Sequence, residues 1–172
     1  MGARRRGDSA RHWTDLDPAC AGVTGTGADG STRPMRQAVT TLDVRTPGQG
    51  LHEATREVVR WTDAQDMREG LLTVLIRHTS ASLLIQENAA PAARRDLERW
   101  FARIAPEARG YEHDDEGPDD MPAHLRAAVT ATQLSVPLIE GRLMLGTWQG
   151  LYLFEHRRSP HTRTLALHLI GE

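Results

Sequence analysis

An acidic segment in the middle of the chain limits what can fold around it. Between Tyr111 and His124 it carries six carboxylates and two imidazoles, and Gly117, Pro118 and Pro122 prevent one continuous helix. Apolar side chains are almost absent, so the segment cannot be fixed by burying itself, and its like charges repel unless a cation or hydrogen-bond donors compensate them. A solvated acidic loop is the ordinary interpretation of such a run. The bracketing histidines favour a second interpretation, in which the segment binds a metal or a metal-carrying ligand.

Composition excludes several classes of function. With 172 residues and 39% hydrophobic content, the chain is predicted to form one globular domain with a sizeable core. A net charge of −2 argues against a general nucleic-acid binder. All 21 basic residues are arginine, which excludes lysine Schiff-base chemistry, and the single Cys20 cannot form an internal disulfide or a thiolate zinc site. No apolar run reaches about 18 residues, so we expect a cytoplasmic protein that does not insert into a membrane.

Residues 1–34 differ in composition from the rest of the chain. They are rich in glycine, contain three consecutive arginines and show no sustained apolar periodicity. A nucleic-acid arm is one interpretation, but nearby aspartates nearly cancel the arginine charge. We therefore predict a disordered extension over 1–34, with Met35 as an alternative start, and a folded domain over 35–172.

Apolar spacing predicts three helices. Residues 51–62 show the spacing of an amphipathic helix. A second helix is predicted to begin at Pro91 and to stop before Pro106. A third, shorter helix is predicted to begin at Asp120, with Pro122 in its first turn.

The other patterned segments predict strands. Residues 82–86 are predicted to continue the strand at 71–76 after a polar break, and 157–161 to form a hairpin turn. The last two long strands are apolar on both faces, so helices or a neighbouring subunit should cover them. The predicted fold is a compact α+β single domain, with mainly antiparallel sheets packed with about three helices. The predicted strands are residues 38–45, 71–76, 82–86, 134–139, 142–145, 151–154 and 164–170.

Four of the eight histidines lie where a strand or helix meets a polar loop: His78, His113, His124 and His156. Side chains at such junctions can converge without disrupting a core. His124 falls in the first turn of its helix, where the helix dipole favours the neutral imidazole that binds metal. A three-histidine zinc site is therefore one prediction, and ordinary hydrogen-bonded histidines are the alternative. The remaining histidines, including His161 and His168, are expected at surface or core positions.

Two further polar groups accompany these histidines. The segment 78–82 interrupts an apolar strand with hydroxyls, and Asn88 follows it; these groups can bind phosphate or simply satisfy backbone groups. In 146–150, glycines flank Trp148, whose indole can stack on a planar ring or serve as a buried anchor. Hydrolysis through Ser80 is disfavoured because no nucleophile-elbow glycines surround it.

These motifs, in their order along the chain, resemble those of the YjbQ-like family. Members of that family are described as secondary thiamine-phosphate synthases, and the resemblance covers residues 35–172. The motifs are His78-Thr79-Ser80-Ala81 with Glu87-Asn88, Tyr111-Glu112-His113 and Glu116-Gly117 with Asp119 to His124, Gly141-Arg142 with Gly146 to Gly150, and Glu155-His156-Arg157.

The resemblance implies a compact α+β fold, usually a homotrimer, with a polar pocket near a subunit boundary and a bound divalent metal. Zinc is expected, or magnesium with a pyrophosphate substrate. The implied activity joins a hydroxymethylpyrimidine pyrophosphate to a thiazole phosphate and releases pyrophosphate. A non-catalytic metal- or metabolite-binding trimer and a metal-dependent hydrolase are the alternatives.

On this interpretation the expected site residues fall into three groups. The metal ligands are His113, His124 and His156, with His78 as a substitute or second ligand. The catalytic residues are His78, Asp119, Asp120 and Arg157. The substrate-binding residues are Thr79, Ser80, Asn88, Gly146, Thr147 and Trp148.

Overall fold

The computed structural model describes residues 34–108, 110–113 and 115–172, so the extension predicted to be disordered lies almost wholly outside the described residues. Within the described part, eight strands and three helices form a compact α+β domain whose sheets are antiparallel, as predicted. None of these helices is long and apolar enough to cross a membrane. The elements are β1 (Arg36–Thr46), β2 (Gly50–Glu53), α1 (Thr55–Asp63), β3 (Gly70–Ile76), β4 (Ala81–Glu87), α2 (Pro91–Ile104), α3 (Asp120–Ala128), β5 (Gln133–Ile139), β6 (Arg142–Leu143), β7 (Gln149–Glu155) and β8 (His161–Gly171).

The strands form two sheets with a core between them. The larger sheet has the order β1-β8-β3-β5-β6, and the smaller has the order β2-β7-β4. Alternate residues of β3 and β8, such as Leu72 and Leu167, point inward and meet Leu151 and Leu153 of β7. The other face of β7 carries Tyr152, which packs with α2 in a second cluster. The smaller sheet is therefore buried on both faces, which accounts for the continuous apolar run in β7.

The start of the predicted first helix is wrong. Residues 50–53 form strand β2, whose Leu51 pairs with Phe154, and the helix begins only at Thr55. The side-chain carboxylate of Glu98 accepts a hydrogen bond from the Leu51 N–H at 3.0 Å, which holds this short strand against α2. Pairing with a distant strand overrides the local helical spacing here.

Two predicted connections are also wrong, and both corrections matter for the site. Strand β4 does not continue β3, because the chain leaves the larger sheet and joins the smaller one at 77–80. Residues 157–161, predicted as a hairpin turn, do not form one, because β7 and β8 belong to different sheets and His161 is the first residue of β8. Polar residues thus occupy two of the places where the chain crosses from one sheet to the other, 77–80 and 156–160.

The outer face of the larger sheet is exposed within the part of the chain that the structure describes. Register places three positions from each of four strands on this face, and none of the twelve is Asp, Glu or Arg. Val39 is 72% exposed and Leu71 and Leu75 are each 41% exposed. A groove of about 500 Å³ runs along this face. The twelve positions, called here the outer sheet face, are Gln37, Val39, Thr41, Ala166, His168, Ile170, Leu71, Thr73, Leu75, Gln133, Ser135 and Pro137.

Candidate functional site

The candidate site lies where the two sheet crossings meet the start of α3. The His156 N–H donates a hydrogen bond to the Ser80 carbonyl at 3.3 Å, which joins the crossings. His124 lies in the second turn of α3 and not in the first, as was predicted, because the helix begins at Asp120. Its Nδ1 is 3.2 Å from the Thr79 carbonyl oxygen. Three segments distant in sequence therefore meet at one corner of the domain.

Three side chains converge at this corner with the chemistry of a metal site. The ligand atoms of His113, Asp120 and His124 all lie within 4.8 Å of one another. Asp120 and His124 are four residues apart on α3, so one helix face presents both. Asp120 Oδ2 is 2.7 Å from His113 Nε2 and 3.7 Å from His124 Nε2.

The Asp120 carboxylate oxygen lacks an ordinary partner. Its side chain is 2% exposed, yet Oδ2 accepts no hydrogen bond from any residue that the structure describes. The 2.7 Å contact with His113 is short enough but lacks the direction of a hydrogen bond, so we treat it as an approach of two ligand atoms. Two imidazoles and a carboxylate match the three protein ligands of a catalytic zinc site, which leaves a fourth position open.

Arg157 neutralises the acidic segment from the other side. Its Nε donates to Asp119 Oδ2 at 3.2 Å, its Nη1 to Asp120 Oδ1, and its Nη2 to the Glu116 carbonyl at 2.7 Å. Burial would lower the pKa of Arg157, but the adjacent carboxylates outweigh burial and raise it. Burial raises the pKa of Asp119, but the N–H of Arg158 and the charge of Arg157 outweigh it, so the net shift is downward. Arg157 was predicted to be a catalytic residue. In the structure its guanidinium holds the acidic loop, and its catalytic role stays a prediction.

A buried ion pair beneath the corner was not predicted from the sequence. Arg163 donates to both carboxylate oxygens of Glu155, at 2.6 and 2.7 Å, and both residues are almost fully buried. Thr46 donates its hydroxyl to the same carboxylate at 3.0 Å. Burial raises the pKa of Glu155, but the hydrogen bonds from Arg163 outweigh burial and lower it. The sequence did contain a signal, because Arg163 occupies an inward position of β8 in phase with Leu165.

Ser80 connects this ion pair to His78. The Ser80 hydroxyl lies 3.4 Å from Arg163 Nη2 and 3.1 Å from His78 Nδ1, and the Ser80 N–H donates to the same Nδ1. Ser80 is buried, whereas His78 is exposed. Thr79 contributes its backbone carbonyl to His124.

His156 does not belong to the converging group. The ring is fully buried, its Nε2 is 2.9 Å from Ser82 Oγ, and its centroid lies 4.3 Å from that of Phe154. Burial lowers the pKa of His156 to about 3, and the positive charge of Arg126 acts in the same direction. His156 is therefore a neutral, packed side chain next to the corner.

Other predicted substrate-binding residues lie at the far end of the smaller sheet. The Asn88 N–H donates to the Trp148 carbonyl at 2.9 Å, beyond the opposite ends of β4 and β7 from His156. Six residue steps along β7 span about 20 Å. Gly146 and Thr147 precede Trp148, whose indole is 65% exposed and so is not a buried anchor. Within one chain, these residues and the corner are two separate locations.

Comparison with known sequences identifies the chain's relatives. The family model for UPF0047 protein YjbQ-like matches residues 40–172. A UPF0047 protein of Synechocystis is 46% identical over 143 residues, which are 83% of this chain and 97% of that protein. The UPF0047 protein YjbQ of Escherichia coli O157:H7 is 42% identical over 133 residues, which are 77% of this chain and 96% of that protein.

Solved structures agree with this relationship. The crystal structure of a protein from Thermus thermophilus is 33% identical, with a TM-score of 0.66, over 74% of this chain and 97% of that one. A YjbQ-like protein from Sulfolobus solfataricus has a TM-score of 0.72 over 80% of this chain and 100% of that one, and at 21% identity it supports the fold alone. From the sequence matches and the shared fold, the chain belongs to the UPF0047 protein YjbQ-like family.

Proposed function

We propose that the corner binds a divalent cation, expected to be zinc, through His113, Asp120 and His124, and that it acts on a phosphorylated small molecule. The convergence of these three ligand atoms around the partnerless Asp120 Oδ2 carries the proposal. Such a donor set suits zinc, whose ligands are imidazole and carboxylate. When bound, the cation would supply positive charge that stabilises a leaving pyrophosphate.

The reaction that we propose is the joining of hydroxymethylpyrimidine pyrophosphate and thiazole phosphate. The thiazole nitrogen forms a bond to the pyrimidine methylene carbon, and the bond from that carbon to the pyrophosphate oxygen breaks with its electron pair on the leaving group. The thiazole supplies the nucleophile, so the protein needs none. This is consistent with a corner that offers charge and hydrogen bonds but no serine in a nucleophile elbow.

Other residues of the chain hold and orient the proposed metal ligands and contact the phosphorylated ligand. Arg157 holds Asp119 and Asp120 in place, which fixes one metal ligand and offsets the repulsion within the acidic loop. His124 is oriented by the Thr79 carbonyl. His78 borders the same corner, and its exposed ring is the group available to a phosphate oxygen.

Product analysis tests the proposal. Zinc-loaded protein is incubated with the pyrimidine pyrophosphate, with and without the thiazole phosphate, and the products are separated by chromatography. We expect thiamine phosphate and pyrophosphate only when both substrates are present. Free pyrimidine alcohol formed without the thiazole would instead identify a hydrolase, and no turnover with retained binding would identify a metabolite-binding protein.

We also propose that the protein assembles as a homotrimer through the outer sheet face. That face lacks formal charge although 26% of the chain is charged, and charged residues such as Asp43 and Arg77 border it. A neutral patch with a polar rim is the usual anatomy of an interface. Light scattering at micromolar concentration should give the mass of a trimer, and Leu75→Glu should reduce it. The matched control Val129→Glu, at a 66% exposed position just after α3, should not.

A further inference from the structure

Two histidines beside the segment 79–80 contact backbone groups of opposite kinds. His124 Nδ1 is 3.2 Å from the Thr79 carbonyl oxygen, which can only accept a hydrogen bond. His78 Nδ1 is 3.1 Å from the Ser80 backbone nitrogen, whose N–H can only donate. In a neutral imidazole, one ring nitrogen carries the proton and the other carries the lone pair. The two contacts therefore require opposite proton positions.

We propose that Thr79 and Ser80 fix opposite tautomers of His124 and His78, so that His124 is a metal ligand and His78 is a hydrogen-bond donor to an anionic oxygen of the ligand. The Nδ1 proton of His124 is bound by the Thr79 carbonyl, which leaves Nε2 with a lone pair that faces Asp120 and His113. The proton of neutral His78 lies on Nε2, so that nitrogen donates and does not coordinate. This inference rests on the proposed metal site. It adds that the corner recognises a phosphate or pyrophosphate oxygen of the ligand through His78.

The buried ion pair strengthens this assignment at His78. Glu155 holds Arg163 through two hydrogen bonds, and Arg163 Nη2 points at Ser80 Oγ from 3.4 Å. Because the guanidinium only donates, Ser80 Oγ accepts there, and its own proton is left to donate to His78 Nδ1 at 3.1 Å. Backbone and side chain of Ser80 thus both donate to one ring nitrogen. Ser80 and Arg163 are positioning residues that act on the ligand through His78.

The assignment also requires His78 to be neutral in the free protein. Although His78 is exposed as a whole, partial burial of its ring lowers its pKa, and the positive charge of Arg163 acts in the same direction. At neutral pH the ring is then mainly uncharged and keeps a single Nε2 proton to donate. Because both histidines contact the segment 79–80, the His78 N–H and the proposed cation belong to one corner and can act on different oxygens of one oxyanion.

Nitrogen NMR of the full chain tests the proton positions directly. Protein labelled with ¹⁵N-histidine and freed of metal is measured at about pH 7.5, where histidine is largely neutral. The resonances are assigned with the variants His78→Gln and His124→Gln. We expect the Nε2–H tautomer to predominate at His78 and the Nδ1–H tautomer at His124. The reverse pattern, or an even mixture at His78, would overturn the proposal.

Zinc and inorganic phosphate are then added in separate steps. Zinc alone should shift the Nε2 resonance of His124 and leave the Nε2 proton of His78 in place; loss of that proton would make His78 a ligand and refute the inference. Inorganic phosphate added to the zinc-loaded protein should perturb His78 Nε2, and an unchanged His78 would also refute it. If zinc does not bind although the tautomers are as expected, the proposed function fails while the tautomer assignment stands.

The variant Ser80→Ala tests whether the Ser80 hydroxyl positions His78 for phosphate binding, as distinct from supporting the fold. The variant removes the hydroxyl and keeps the backbone N–H, so His78 should retain its tautomer while phosphate binds about three- to tenfold more weakly. The matched control Ser135→Ala, which lies on the outer sheet face and away from the corner, should bind phosphate like the wild type when light scattering gives both proteins the same mass. Equal phosphate affinity in Ser80→Ala and the wild type would remove Ser80 from the proposed role.

Discussion

The buried imidazole of His156 should make the protein lose stability as the pH falls through the weakly acidic range. Folding buries this ring against Phe154 and Ser82, and burial lowers its pKa from 6.5 to about 3. In the unfolded chain the same ring ionises near its ordinary value of about 6.5. Above that pH both states are neutral and His156 contributes no pH dependence. At pH values between the pKa of the folded state and that of the unfolded state, His156 binds a proton in the unfolded chain but not in the folded protein.

The size of the effect follows from these two values. The free energy of unfolding should fall by about 1.4 kcal/mol for each pH unit in which only the unfolded state is protonated. Between about pH 7.5 and pH 5 this gives a loss of about 2 kcal/mol from His156 alone. The result is the same for any folded-state pKa below about 4, because pH 5 still lies above it. The decrease in the free energy of unfolding stops only when the pH falls below the pKa of His156 in the folded protein.

Urea unfolding at a series of pH values measures this loss. The experiment compares the wild type with His156→Gln in the presence of a chelator, so that metal binding does not contribute. The amide can keep a hydrogen bond to Ser82 but does not ionise, and the variant should lack about 2 kcal/mol of the wild-type pH dependence. Equal pH dependence in the wild type and His156→Gln would refute the argument, because the ring would then be protonated in the folded protein.

Three further predictions concern the metal, the ion pair and the extension. His124→Ala should lower zinc affinity by more than about tenfold in calorimetry, with little loss of stability, whereas His168→Ala should leave zinc binding unchanged. Glu155→Gln should cost about 3–5 kcal/mol in urea unfolding because it leaves a buried guanidinium uncompensated, while Glu140→Gln, at an exposed pair, should cost less than about 1 kcal/mol; equal costs would contradict the importance of burial. Deletion of 1–34 should leave the protein soluble and shift its Tm by no more than a few degrees, and an insoluble product would contradict the predicted dispensability.

Local signals located the second and third helices well. Pro91 stands at the first position of α2 and Asp120 at the first of α3, as the sequence indicated. These boundaries depend on residues inside or next to the helix, so they are readable from sequence. Strand β2 was missed because its four residues are strand only through pairing with β7. Which sheet β4 joins was missed for the same reason, since strand partners are distant in the chain.

The part of the candidate site that lies within one short stretch of the sequence could be predicted. Asp120 and His124 share a helix face at a spacing of four residues, and His113 lies at the other end of the same short loop. His156 was grouped with them from its position at a strand end. Its place one residue beyond β7 carried the opposite signal, because it continues the alternation of Tyr152 and Phe154 at intervals of two and so faces the helix-covered core. Spacing along a strand was a better guide to His156 than its residue type.

The last residue of β7 and the two residues that follow it lie in three different environments. Glu155 continues the phase of Leu151 and Leu153, points between the two sheets and meets Arg163 there. His156 points to the opposite face of the smaller sheet, and Arg157, just after the strand, reaches the acidic loop. Successive strand residues face opposite sides, so a slip of one residue would put an imidazole against Arg163 and a carboxylate in the apolar layer beside Phe154. The apolar alternation of β7 therefore fixes the register of the site as well as the core, which explains how a corner built from three distant segments can have defined geometry.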